Sequence, residues 1–213
     1  MIVDERMLTF MNSLDRGLTP FLEELLKKAE EDRVPVIRRN MQSFLRTFLT
    51  MKKPSAILEV GTAVGFSAIL MASYGSPESH ITTIESYEKR IPVARENFRL
   101  AGVEDRITLL AGDAAEILPR LTESYDLIFL DAAKGQYIRW LPDLRKRMRP
   151  GSVLIADNVL QEGDIIESHY LVERRNRTIY KRMREFLRAV EDDPGLDTCV
   201  LPIGDGITLS VMK

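Results

Sequence analysis

The chain has 213 residues, 45% hydrophobic and 29% charged, a balance that excludes disorder and points to a single domain over residues 1–213. Thirty Lys and Arg against 32 Asp and Glu leave a net charge of -2, so no global basic excess marks a nucleic-acid binder, although a local patch is compatible with it. One cysteine, Cys199, and two histidines exclude a disulfide framework and a Cys- or His-rich metal centre, which leaves oxygen ligands for any cation.

Residues 1–50 read as a helical cap on the rest of the domain. The opening MIVDERMLTF lacks the basic and apolar regions of a signal peptide, and a cytoplasmic protein is expected. Thr19-Pro20 is a helix start, with Phe21, Leu22, Leu25, Leu26 and Ala29 next at helical spacing. Residues 38–50 repeat the pattern with Met41, Phe44, Leu45, Phe48 and Leu49. After Lys52-Lys53-Pro54, short apolar runs at 56–60, 81–85, 107–111, 127–131 and 153–157 alternate with helical stretches at 67–72, 88–101, 114–121 and 137–148. The apolar stretch 55–72 is broken by Glu59, Gly61 and Gly65, so it reads as strand, turn and helix rather than a membrane span. A helix over 178–190 and extended runs at 198–201 and 207–212, joined by PIGDG, complete the chain. The pattern predicts an α/β fold: a seven-stranded, mostly parallel sheet with helices on both faces and an antiparallel last pair.

In such sheets ligands bind beyond the carboxyl ends of the strands. The first strand runs into Glu59-Val-Gly61-Thr-Ala-Val-Gly65-Phe-Ser67, a G-x-x-x-G spacing and not the G-x-G-x-x-G of dinucleotide sites. An adenosine ligand without phosphates, such as S-adenosylmethionine, fits it better. Glu85 ends the second strand, where a carboxylate accepts hydrogen bonds from ribose hydroxyls, and Asp113-Ala114 comes after the third, where one meets an adenine amino group. The fourth and fifth strands end in Asp131 and in Asp157-Asn158, three hard oxygen donors suited to Mg²⁺, Mn²⁺ or Ca²⁺. Lys134 lies three residues past Asp131; beside a cation its charged form is disfavoured, which suits a general base.

The runs ILEVGTAVGFSA, TTIESYEKR, ARENFRLAG, GDAAEILP, YDLIFLDAAKGQY, IADNVL and LPIGDGITLS closely resemble the cation-dependent S-adenosylmethionine O-methyltransferases of the catechol and caffeoyl-CoA type. The resemblance implies a Rossmann-like class I methyltransferase fold. It implies cofactor contacts at Glu59, Gly61, Ser67, Glu85, Asp113, Ala114 and Asp131, with a looser match at Ile37. It also implies Mg²⁺ at Asp131, Asp157 and Asn158, a catalytic role for Lys134 and Asp131, and a homodimer.

For the acceptor, residues 173–190 hold seven basic side chains and two acidic ones. Ile179, Met183, Phe186, Leu187 and Val190 share one helical face, with Arg177, Lys181, Arg184 and Arg188 opposite. Such a stripe is either a solvated face or a track for phosphates. The stretch IADNVLQEGDIIESHYLVERRNRTIYKRMREF resembles the bacterial tRNA 5-hydroxyuridine methyltransferases of this family. That resemblance implies the tRNA anticodon loop as substrate, with Arg174, Arg175, Arg177 and Lys181 as tRNA contacts and the wobble 5-hydroxyl as acceptor. Tyr137, Trp140 and Tyr170 are candidate stacking partners for a splayed base. The competing expectations are a small catechol or hydroxycinnamoyl-type acceptor, a non-catalytic scaffold and, disfavoured by the glycine spacing, a nicotinamide dehydrogenase.

Overall fold

The structure is a computed structural model that describes residues 3–168 and 170–213. Three helices come first: α1 (Glu5–Ser13), α2 (Pro20–Glu31) and α3 (Arg39–Lys52). The Thr19 hydroxyl accepts the Leu22 amide and Pro20 occupies the first turn, so α2 starts where the sequence places it. Then come β1 (Ala56–Val60), α4 (Phe66–Tyr74), β2 (His80–Glu85), α5 (Ile91–Leu100), β3 (Ile107–Ala111) and α6 (Ala114–Ile117). The rest is β4 (Tyr125–Leu130), α7 (Tyr137–Lys146), β5 (Met148–Ala156), α8 (Arg177–Glu191), β6 (Leu196–Leu201) and β7 (Ile207–Met212).

Among the described residues these strands form one seven-stranded sheet in the order β3-β2-β1-β4-β5-β7-β6. The first five pair in parallel, and β7 runs antiparallel to both β5 and β6. The pleat sends alternate side chains to opposite faces. Ile57, Phe129 and Ile155 join a core built with α2 to α5, whereas Leu58, Ile128 and Leu154 join a second core built with α6 to α8. Each such side chain contributes about 1.5–3 kcal/mol on burial. Being covered on both faces is why the parallel strands read as continuous apolar runs.

Three boundaries differ from expectation for local reasons. β5 begins at Met148 rather than 153, across an irregularity in its register with β4 between Tyr125 and Leu127. Pro92 sits in the first turn of α5, which starts at Ile91 rather than 88. α6 gives way to a 3-10 turn at Leu118–Arg120, since Pro119 has no N–H to extend an α-helix. Among the described residues no helix is long and apolar enough to cross a membrane.

The register sets up the site. Val60 pairs with Ile84 and Leu130, and Leu130 with Ala156. The next rung across the sheet is therefore Glu85, Gly61, Asp131 and Asp157, side by side at the carboxyl edge where the chain turns away in opposite directions from β1 and β4.

Candidate functional site

Beyond that edge lies a cavity of about 1100 Å³. Its walls include Ile37, Gly61, Ser67, Glu85, Asp113, Ala114, Asp131, Lys134, Asp157 and Asn158, so the structure brings together in one space the cofactor, metal and catalytic residues read from the sequence except Glu59, whereas Arg174, Arg175, Arg177 and Lys181 lie outside it.

Gly61 has φ +106°, and a Cβ there would strike the Asp131 carbonyl; only glycine lets β1 and β4 close up at this point. Gly65, at φ +88°, opens α4 against the ring of Phe98. The Glu85 carboxylate accepts the amides of Ala63 at 2.7 Å and Tyr87 at 2.8 Å, which aims it along the cavity wall. Asp113 accepts the Ala115 amide at 2.8 Å and so caps α6, one oxygen serving the helix and the other left over.

Glu59 is placed differently from expectation. It is fully buried and does not line the cavity, because the pleat turns it below the floor; its carboxylate accepts the Thr83 hydroxyl at 2.5 Å. Burial pushes its pKa up to about 7, against the Ser67 and Thr83 hydroxyls, which favour the anion.

At the other end of the cavity, Asp157 accepts the Asn158 amide at 2.6 Å, and Asn158 takes a left-handed φ of 60° to turn its side chain back toward the edge. Burial raises the pKa of Asp131, with Lys134 opposing. Burial and then the Asp131 charge raise that of Asp157. Two buried acids, both with raised pKa, form a site short of positive charge. Among the described residues no three His, Cys, Asp or Glu side chains converge as a cation centre, and Asn158, whose side-chain amide donates to Asp157 at 3.3 Å, lines the cavity beside the two acids. This hard-oxygen set fits Mg²⁺, Mn²⁺ or Ca²⁺.

Lys134, half-buried, points its ammonium at Asp205, 3.4 Å away. Asp205 is a cavity residue that the sequence alone did not single out, as are Gln161, Glu162 and Asp164 on the same rim. It lies in the PIGDG turn, and its signal was topological: β7 runs beside β5, which carries that turn to the cavity. Tyr137 is no stacking platform. It is fully buried, packs edge-on against Phe186, and its hydroxyl donates to the carbonyls of Leu130 and Asp157. Trp140 does line the cavity, and Tyr170 is exposed.

The basic run divides by role. Arg177 donates to the carbonyls of Val172 and Tyr170, Arg184 to Ile165 and Arg182 to Gly135, so these guanidiniums brace the rim. Arg174, Arg175 and Lys181 face outward, next to the cavity-lining Asn176 and Ile179. Arg175 pairs with Glu173 and Lys181 with Glu185.

Residues 12–213 match the family model described as O-methyltransferase. A catechol O-methyltransferase of Mycobacterium tuberculosis is 32% identical over 215 residues, covering 96% of this chain and 94% of its own. A caffeoyl-CoA O-methyltransferase of Eucalyptus globulus is 31% identical, covering 78% of this chain and 70% of its own. The crystal structure of an SAH-bound methyltransferase of Podospora anserina superposes with a TM-score of 0.89 at 26% identity, covering 98% of this chain and 94% of that one.

Proposed function

Because this chain belongs to the O-methyltransferase family, we propose that it moves the methyl group of S-adenosylmethionine onto a hydroxyl that has a second oxygen beside it, as in a catechol or hydroxycinnamoyl-type acceptor. The observation that carries this is a single cavity with Glu85 and Asp113 at one end and Asp131, Lys134, Asp157 and Asn158 at the other.

In this reading Glu85 accepts from the ribose hydroxyls and Asp113 from the adenine amino group, while Ile37, Gly61, Ser67 and Ala114 shape the wall around the cofactor. Asp131, Asp157 and Asn158 would hold Mg²⁺. When bound, the cation supplies Lewis acidity that lowers the pKa of the acceptor hydroxyl. Lys134 takes the acceptor's proton or holds the resulting oxyanion. The walls align oxygen, methyl and sulfur, and positioning of this kind is worth several kcal/mol of the barrier.

A second reading makes the acceptor the wobble 5-hydroxyuridine of a tRNA anticodon loop, yielding 5-methoxyuridine. Its 5-hydroxyl and O4 are neighbouring oxygens, as in a catechol. The exposed Arg174, Arg175 and Lys181 beside the cavity favour it. Assembly belongs to the same proposal: a homodimer that covers the apolar side of α1.

The test is transfer of labelled methyl with Mg²⁺, using a catechol and tRNA carrying 5-hydroxyuridine side by side. Label in the catechol supports the first reading, and label in tRNA that is lost on chelation supports the second. Label in neither, together with no binding of S-adenosylmethionine by calorimetry, overturns both.

A further inference from the structure

Asp205 is 3% exposed and sits where three segments of the cavity rim meet. One carboxylate oxygen lies 3.4 Å from the Lys134 ammonium, and the other accepts the Glu162 amide at 2.5 Å. Its carbonyl accepts the Leu160 amide at 3.0 Å, and that of Gly206 accepts Val159 at 2.9 Å. The segment fastened in this way is conformationally unfavourable. Asn158, Gln161 and Glu162 have φ of 60°, 51° and 54°, left-handed values that Asn tolerates but that are unfavourable for Gln and Glu. From the opposite rim Arg38 pairs with Glu162 at 2.8 Å and reaches the Gly204 carbonyl at 3.5 Å.

We propose that Asp205 is the positioning residue of this site: its buried carboxylate fixes the Lys134 ammonium over the acceptor end of the cavity and, through Glu162, holds the rim segment Gln161–Ile166 in place. Without it the lysine loses its carboxylate partner, and the strained rim loses the acceptor for its central amide. The catalytic half of this inference rests on the proposed methyl transfer; the rim half does not.

The test is a double-mutant cycle on the full chain with Mg²⁺ and S-adenosylmethionine, read with hydrogen exchange. Asp205→Asn is expected to lower kcat about 10- to 100-fold, with the affinity for S-adenosylmethionine within about twofold of the parent. Combined with Lys134→Ala it is expected to be no slower than Lys134→Ala alone, because the aspartate acts through the lysine. Losses that multiply, or an unchanged kcat, overturn that role, and Asp205→Ser enters the cycle if the Asn variant does not fold. The Glu162 amide is expected to exchange at least about tenfold faster in Asp205→Ala, which removes the acceptor oxygen that Asn keeps. Unchanged protection overturns the rim role even if the parent methylates neither acceptor, an outcome that by itself counts against the proposed reaction only.

Discussion

A methyl group at position 61 has nowhere to go, and the backbone there is already left-handed. Gly61→Ala is expected to cost on the order of 3 kcal/mol of stability, visible as a lower denaturant midpoint, and to weaken S-adenosylmethionine binding with it. Lys134→Ala makes the opposite separation. Turnover is expected to fall about 10²- to 10⁴-fold while cofactor affinity stays put, since a group that moves a proton acts in the chemical step. Glu59 adds a pH dependence. Its folded pKa of about 7 is above that of the unfolded chain, so its contribution to stability is complete at low pH and is lost as pH rises toward 7. The melting temperature is therefore expected to decline between about pH 5 and pH 8, and Glu59→Gln to flatten that decline. An equal slope in the variant would assign the dependence to Asp131 and Asp157 instead.

At the scale of elements, α8 and the 3-10 turn before it, Arg174–Asn176, separate two uses of positive charge. The buried face of α8, Tyr180, Met183, Phe186 and Val190, docks on the second core. Arg177, Arg182 and Arg184 then reach carbonyls of the rim, and Arg174, Arg175 and Lys181 are left facing water. Replacing Arg174 and Arg175 together by Ala is expected to leave catechol turnover and melting temperature alone. If tRNA is the acceptor, the same change weakens its binding and reduces the salt slope by roughly 1.5–2. The helical wheel could not make this division, because it gives the direction of a side chain and not whether a carbonyl waits there. The central parallel strands were legible for the opposite reason: buried on both faces, 56–60, 81–85 and 127–130 carry their signal in composition alone. Gly61, Glu85, Asp131 and Asp157 were legible because strand ends in this sheet converge on one edge. The rim at Gln161–Ile166 and Asp205 were not, since both are polar loop residues whose neighbourhood depends on β7 lying against β5.

For the whole molecule, α1 raises the question of assembly. It buries none of its own residues, and Met7, Phe10, Met11 and, just past its end, Leu14 are exposed at helical spacing. The proposed homodimer covers this side. Phe10→Glu with Leu14→Glu is expected to halve the molar mass seen by light scattering without moving the far-UV spectrum. A monomeric parent would remove the proposal.

The position of β7 has a consequence for biosynthesis. The ribosome makes β6 before β7, yet β7 lies between β6 and β5. When β6 emerges it has no neighbour to pair with, and the edge of β5 stays open until the second hairpin arm arrives to fill the gap. The adenosine end of the cavity, built from β1 to β3, is translated well before that moment. The acceptor end waits for Asp205 and the strand behind it. A nascent chain stalled before residue 207 would thus present a half-built cavity and two unpaired strand edges. That places its greatest exposure to misassembly in the interval between the synthesis of β6 and that of β7.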